Sequence, residues 1–156
     1  MKTTILSDAK ILVSELMKEV LADQFLLYTK ARNYHWNVTG SAFYNLHGAF
    51  EKIYDELSED IDKVAERIRA LGYKSPGTLK EFLILSTLRE EPGIYPNHIV
   101  MVQNIANDFE TVLEKINSAV VKIQSEYKDE VSAGMFYELM EKYQKIVWML
   151  RSLLEN

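Results

Sequence analysis

The chain has 156 residues, a formal net charge of −5 and no cysteine. That length suits a single domain over residues 1–156, and the acidity argues against nucleic acid as a default partner while fitting a protein that handles cations. Without cysteine there is no disulfide framework, no thiolate metal site and no thiol nucleophile.

Only six glycines and three prolines interrupt the chain, so long elements are expected. Apolar residues at helical spacing predict a first helix from about Asp8 to Asn37. Gly40 should stop it, and Ser41 is expected to cap the next. The second helix runs from about Phe43 to Leu71 and ends at Gly72. In the loop that follows, Thr78 and Glu81 form a capping-box pair that opens a short helix over Leu79 to Leu85. Asn97 should cap a third long helix reaching about Tyr127, and a fourth runs from about Asp129 to Leu154. No strand, low-complexity tract or internal repeat is evident. The fold class is therefore all-α. Four long helices, with the extra short one in a long connection between the second and third, are the pattern of a ferritin-like four-helix bundle.

No apolar run approaches the roughly 20 residues of a membrane span. The opening MKTTILSDAKILVSELM mixes polar and apolar residues too closely for a signal peptide. A soluble, cytoplasmic protein with no membrane partner is expected.

The second helix carries two stripes. With His47 at zero and about 100° per residue, Phe50, Ile53, Leu57, Ile61, Val64 and Ile68 fall between roughly 240° and 320°, an apolar buried face. His47, Glu51, Asp55, Glu59, Asp62 and Glu66 fall between roughly 0° and 120°. Charge stripes usually just face water. Yet carboxylates four residues apart repel on a helix, and a bound cation would relieve that. Imidazole and carboxylate together suit hard or borderline metals.

His35 and His47 flank the turn near Gly40 at similar depth, so both imidazoles can reach one site. Asp62 and Glu66 offer paired carboxylates, but Asp62 lies roughly 22 Å beyond His47 along a helix. Within one chain these four residues cannot form one site. If the second helix packs antiparallel against its copy about a twofold axis near Tyr54 and Asp55, His47 of one chain meets Asp62 of the other. Two identical sites then result.

The segment HWNVTGSAFYNLHGAFEKIYDELSEDIDKVAERIRALG resembles the signature region of the Dps family, the DNA-binding proteins from starved cells, also called miniferritins. The match carries His35-Trp36, Phe43, Leu46-His47, Asp62, Ala65-Glu66-Arg67-Ile68 and Gly72, and extends more weakly to Trp148-Met149-Leu150-Arg151. The resemblance implies a hollow homododecamer built from twofold dimers, with a ferroxidase centre at each dimer interface. Iron(II) would be oxidised there with hydrogen peroxide or dioxygen and stored as ferric mineral, protecting DNA from oxidative damage. Carried over, the catalytic and metal-binding residues are His35, His47, Asp62 and Glu66. Glu51 stands where the family often has aspartate, as a ligand or a group behind the ligands.

The chain departs from many relatives in lacking a lysine-rich tail: Lys2 and Lys10 alone precede the core of the first helix, which argues against strong direct DNA binding. Nucleoid association, or an immune-interacting shell with an incidental metal site, is the non-enzymatic alternative. A conventional di-iron site inside one bundle would need Glu-x-x-His motifs. The residues three before His35, His47 and His98 are Arg32, Tyr44 and Tyr95. Trp36 is open to two readings, packing or an oxidisable sink beside iron. Trp148 is expected in the core, and His98 as a structural or exposed residue. Glu126, Asp129 and Glu130 are either an acidic first turn or part of an iron-entry pore.

Overall fold

The computed structural model describes the backbone of residues 2–155 and the side chains from residue 8 to 155. Five helices follow in order: α1 Lys2–Asn37, α2 Phe43–Ala70, α3 Leu79–Leu85, α4 His98–Ser125 and α5 Glu130–Ser152. Among the described residues no strand occurs.

α1 begins about two turns before the expected Asp8. Nothing in KTTILS, neither glycine nor proline, stops a helix from continuing backwards through it. The α1–α2 turn also departs from expectation at Ser41. The cap position is Ala42, and no side chain caps α2. Gly40 makes the turn with φ +98, and its carbonyl accepts from the Phe43 amide at 3.1 Å. A side chain there would also press on His98, since an added Cβ would lie 3.4 Å from His98 Nδ1. His98 is thus a half-buried residue that packs beneath the turn.

The other boundaries follow their signals. Gly72, at φ +101, ends α2 while the Tyr73 amide reaches back to the Ile68 carbonyl at 3.2 Å. Thr78 and Glu81 form the expected capping box on α3. The Asn97 side chain accepts from the Val100 amide at 3.1 Å and opens α4. α4 stops at Ser125, short of Tyr127, because Lys128 takes the left-handed conformation that turns the chain. Asp129 caps α5.

Cross-helix polar pairs fix the directions. Lys30–Asp108 and Asp23–Lys115 join α1 to α4 in antiparallel order. Asp60–Lys142 and Arg67–Asp129 do the same for α2 and α5, and Arg151–Glu110 for α5 and α4. α2 and α4 therefore run the same way, and the segment between them must travel back along the bundle. α3 rides on that crossover. Its Phe82 is buried and stacks on Phe25 of α1 at 4.3 Å. Burying such a ring contributes roughly 1.5–3 kcal/mol, enough to hold the crossover to α1.

The apolar arc of α2 is buried as expected, except that Ile61 is only half-buried at its edge. Phe50, Phe109, Phe136 and Tyr143 fill the centre, with Phe109 edge-on to Tyr143 at 5.1 Å. Trp148 does not join them: it is 65% exposed on α5, where its neighbour Arg151 is turned to Glu110 and Asn107 of α4. Trp36 is equally exposed at 65%, so packing within this chain does not explain it.

Candidate metal centre

The α1–α2 turn brings the last turn of one helix beside the first turn of the next. His35 is 8% exposed and His47 half-buried. Their rings stack with centroids 3.8 Å apart and planes 22° from parallel. His35 Nδ1 lies 2.8 Å from the His47 carbonyl oxygen, and His47 Nδ1 lies 2.9 Å from that of His35. A carbonyl can only accept, so each Nδ1 carries the proton and donates it. In a neutral ring with that tautomer the lone pair lies on Nε2, the state a metal ligand needs. The bond from His47 also satisfies a carbonyl in the last turn of α1, which has no donor within its own helix.

Neighbouring rings hold the pair in place. Phe43 stacks on His47 at 5.1 Å, and Tyr54 meets His35 edge-on at 5.3 Å. Arg32 lies over Tyr54, with Cζ 4.8 Å from its centroid, and over Trp36 at 5.2 Å. The Tyr54 phenol is raised by local burial first, then by the charges of Glu51 and Asp55, with Arg32 opposing. Glu51 is exposed one turn beyond His47 and accepts a long 3.5 Å bond from Tyr54.

Asp62 and Glu66 stand elsewhere. Both are exposed toward the other end of α2, which is one continuous helix between them and His47. The separation along the axis is therefore roughly 22 Å for His47 and Asp62. Neither carboxylate has a hydrogen-bond or ionic partner among the described residues. Arg67, next to Glu66, is turned away: it donates to Ser132 at 2.9 Å and to both Asp129 oxygens. Among the described residues, no three His, Asp or Glu side chains gather closely enough to hold a metal ion. The structure joins His35 to His47 and leaves Asp62 and Glu66 apart from them.

The bundle interior holds polar residues that sequence reading passed over. Asp60 is buried and receives Lys142 at 2.6 Å, and Gln24 donates to the Tyr143 hydroxyl at 2.8 Å. Burial, then the charge of Asp60, pushes the Tyr143 phenol well up. Asp23 accepts from Ser86, Thr87 and Leu88 and pairs with Lys115. Each buried carboxylate among the described residues has a lysine, and no acidic cluster suited to a conventional di-iron site lies among them. The signal was faint: Asp60 falls near 220° on the wheel, just beside the apolar arc.

The acidic group before α5 divides. Asp129 is the helix cap, bound to Arg67 and Ser132; burial alone would raise its carboxyl, but these hydrogen bonds and the guanidinium hold it below the usual range. Glu130 accepts from Gln124 at 3.2 Å, and Glu126 ends α4 in the open.

The family model of the ferritin-like domain matches residues 14–156. A low temperature-induced protein of Nostoc sp. is 39% identical over 144 residues, covering 92% of this chain and 80% of that one. The DNA protection during starvation protein 2 of Bacillus anthracis is 34% identical over 144 residues, covering 92% of this chain and 97% of its own. The chain belongs to the Dps family. The Dps protein of Vibrio cholerae O1, a member of a broad superfamily of ferritin-like diiron-carboxylate proteins, superposes with a TM-score of 0.91 at 26% identity, covering 96% of this chain and 92% of that one. Membership of the Dps family supports iron binding, iron storage and protection against oxidative damage in general terms. No helix among the described residues is long and apolar enough to cross a membrane.

Proposed function

We propose that this Dps chain is a ferroxidase and iron-storage subunit whose metal sites form between two copies. One observation carries the reading. Two imidazoles are locked by reciprocal Nδ1 bonds, while the carboxylates that would complete their site lie exposed, without partners among the described residues, with Asp62 roughly 22 Å and Glu66 roughly 28 Å from His47 along the helix. Antiparallel packing of α2 against its copy would bring His35 and His47 to Asp62 and Glu66 of the partner subunit, with Glu51 beside the imidazoles. Exposed apolar side chains, Leu79, Leu83 and Ile84 on α3 and Phe43 and Tyr44 beside the turn, supply surface for such association.

Iron is substrate and cargo. Neutral imidazoles accept Fe(II), and the harder carboxylates favour Fe(III) once formed, which draws the reaction forward. Two Fe(II) ions reduce one hydrogen peroxide to two waters with uptake of two protons. Dioxygen is the alternative oxidant. Removing iron and peroxide together denies both to hydroxyl-radical chemistry, so DNA is protected without being bound; the net charge of −5 argues against direct binding. Further assembly of the dimers into a hollow homododecamer would hold the ferric mineral. The proposed setting is the cytoplasm.

The test is an anaerobic Fe(II) titration followed by peroxide, on wild type and on His47→Ala and Asp62→Ala, with size exclusion alongside. Both variants should lose fast oxidation. Unchanged oxidation in both would sink the assignment. A clear gel shift of DNA by sub-micromolar protein at low salt would overturn the view on DNA.

A further inference from the structure

The twofold reading sets two acidic stripes face to face, and something besides metal must offset their repulsion. Arg32 is placed for it. Its side chain is half-buried, with Cζ 5.5 Å from Tyr28, 5.2 Å from Trp36 and 4.8 Å from Tyr54 ring centroids. Nη1 donates to the Tyr28 hydroxyl at 2.7 Å. A guanidinium has five donors, and none of Arg32's meets a carboxylate among the described residues. Three rings fix its plane, so little freedom remains to be lost on pairing.

Asp55 is the complementary group. It is exposed, it follows Tyr54, and it lies on the stripe between His47 and Asp62. The nearby cation of α2, Lys52, turns instead to Glu56 at 3.8 Å. For His47 to meet Asp62 of the partner subunit, the axis must pass between positions 54 and 55. Arg32, lying over Tyr54, then stands against Asp55 of the partner subunit. The two Asp55 carboxylates would otherwise oppose each other across the axis.

We propose that Arg32 forms an ion pair with Asp55 of the partner subunit, twice per dimer, and that this pair sets the register in which the two half-sites meet. It rests on the twofold reading above. Sliding α2 by one turn, about 5–6 Å, would part Arg32 from Asp55 and the imidazoles from their carboxylates together. The pair is thus a positioning device for the metal site.

Charge reversal tests it in the full chain. Arg32→Glu and Asp55→Arg should each weaken self-association roughly tenfold or more by sedimentation, with helical circular dichroism unchanged. Mixing the two variants should restore it, because each mixed dimer regains both opposite-charge pairs. A pair within one chain would not be rescued by mixing, so no recovery overturns the proposal. Wild-type association of both single variants also overturns it. Arg32→Gln guards against misfolding of the reversed variant: it should associate less tightly and with a shallower salt dependence than wild type, and an unchanged salt dependence counts against the pair. Wild type that stays monomeric under all conditions sinks the twofold reading itself. Wild type that dimerises while its variants do not respond sinks only the Arg32–Asp55 pair.

Discussion

Two sets of carboxylates in this molecule have opposite fates. Asp23 and Asp60 are buried, and each is answered inside its own chain by a lysine, with hydrogen bonds from the crossover segment added at Asp23. Asp62 and Glu66 are exposed and answered by nothing among the described residues, although Arg67 stands beside them in sequence. The first set builds the bundle, because an uncompensated buried charge would unfold it. The second set costs little to leave open in water and so is available for something outside the chain. Burial with compensation marks residues that serve the fold. Exposure without compensation, on the same helix as a locked histidine, is what the proposed intersubunit site requires of its carboxylates.

Substitutions should separate the two sets by their effect on stability. Asp23→Ala leaves Lys115 without its counter-charge and strips the crossover of its acceptor, and should cost about 3–5 kcal/mol by urea denaturation. A cost under about 1 kcal/mol would mean that Asp23 is not compensated as described. Arg67→Ala should cost less, about 1.5–3 kcal/mol, through the loss of charged hydrogen bonds to Asp129. The pH dependence gives its sign. The Asp129 carboxyl is held low in the folded state, so its contribution is complete above the unfolded value near pH 4 and disappears as pH falls through the depressed folded value. Arg67→Ala should therefore flatten the acid limb of the stability profile, and an unchanged limb would contradict the cause given. At the far end, Asp62→Asn with Glu66→Gln should move stability by no more than about 0.5 kcal/mol while abolishing ferrous oxidation. A large stability loss there would erase the distinction between the sets.

Much of this was legible in the sequence because the signals were local. Thr78 with Glu81, Asn97, Gly40 and Gly72 each act on backbone a few residues away, and the structure uses them as read. Ser41 failed as a cap because Gly40 turns the chain so that Ala42 occupies that position. The stacked histidines followed from register about a turn. Their reciprocal Nδ1 bonds did not, since these depend on ring orientation. Asp60 and Gln24 escaped because burial of a polar group is decided by what lies across the bundle, here Lys142 and Tyr143. Trp148 was misplaced for a related reason: an aromatic at helical spacing reads as core, yet the outer face of α5 holds it in the open.

The central claim is that one metal site draws on two chains, and complementation tests it most directly. His47→Ala and Asp62→Ala chains, each inactive alone, are unfolded, mixed in equal amounts and refolded together. In a mixed dimer one site loses both groups and the other keeps both. Random pairing should therefore restore about a quarter of the wild-type sites, read as peroxide-driven ferrous oxidation. No recovery on mixing, with both variants folded and associated, would contradict a site shared between subunits.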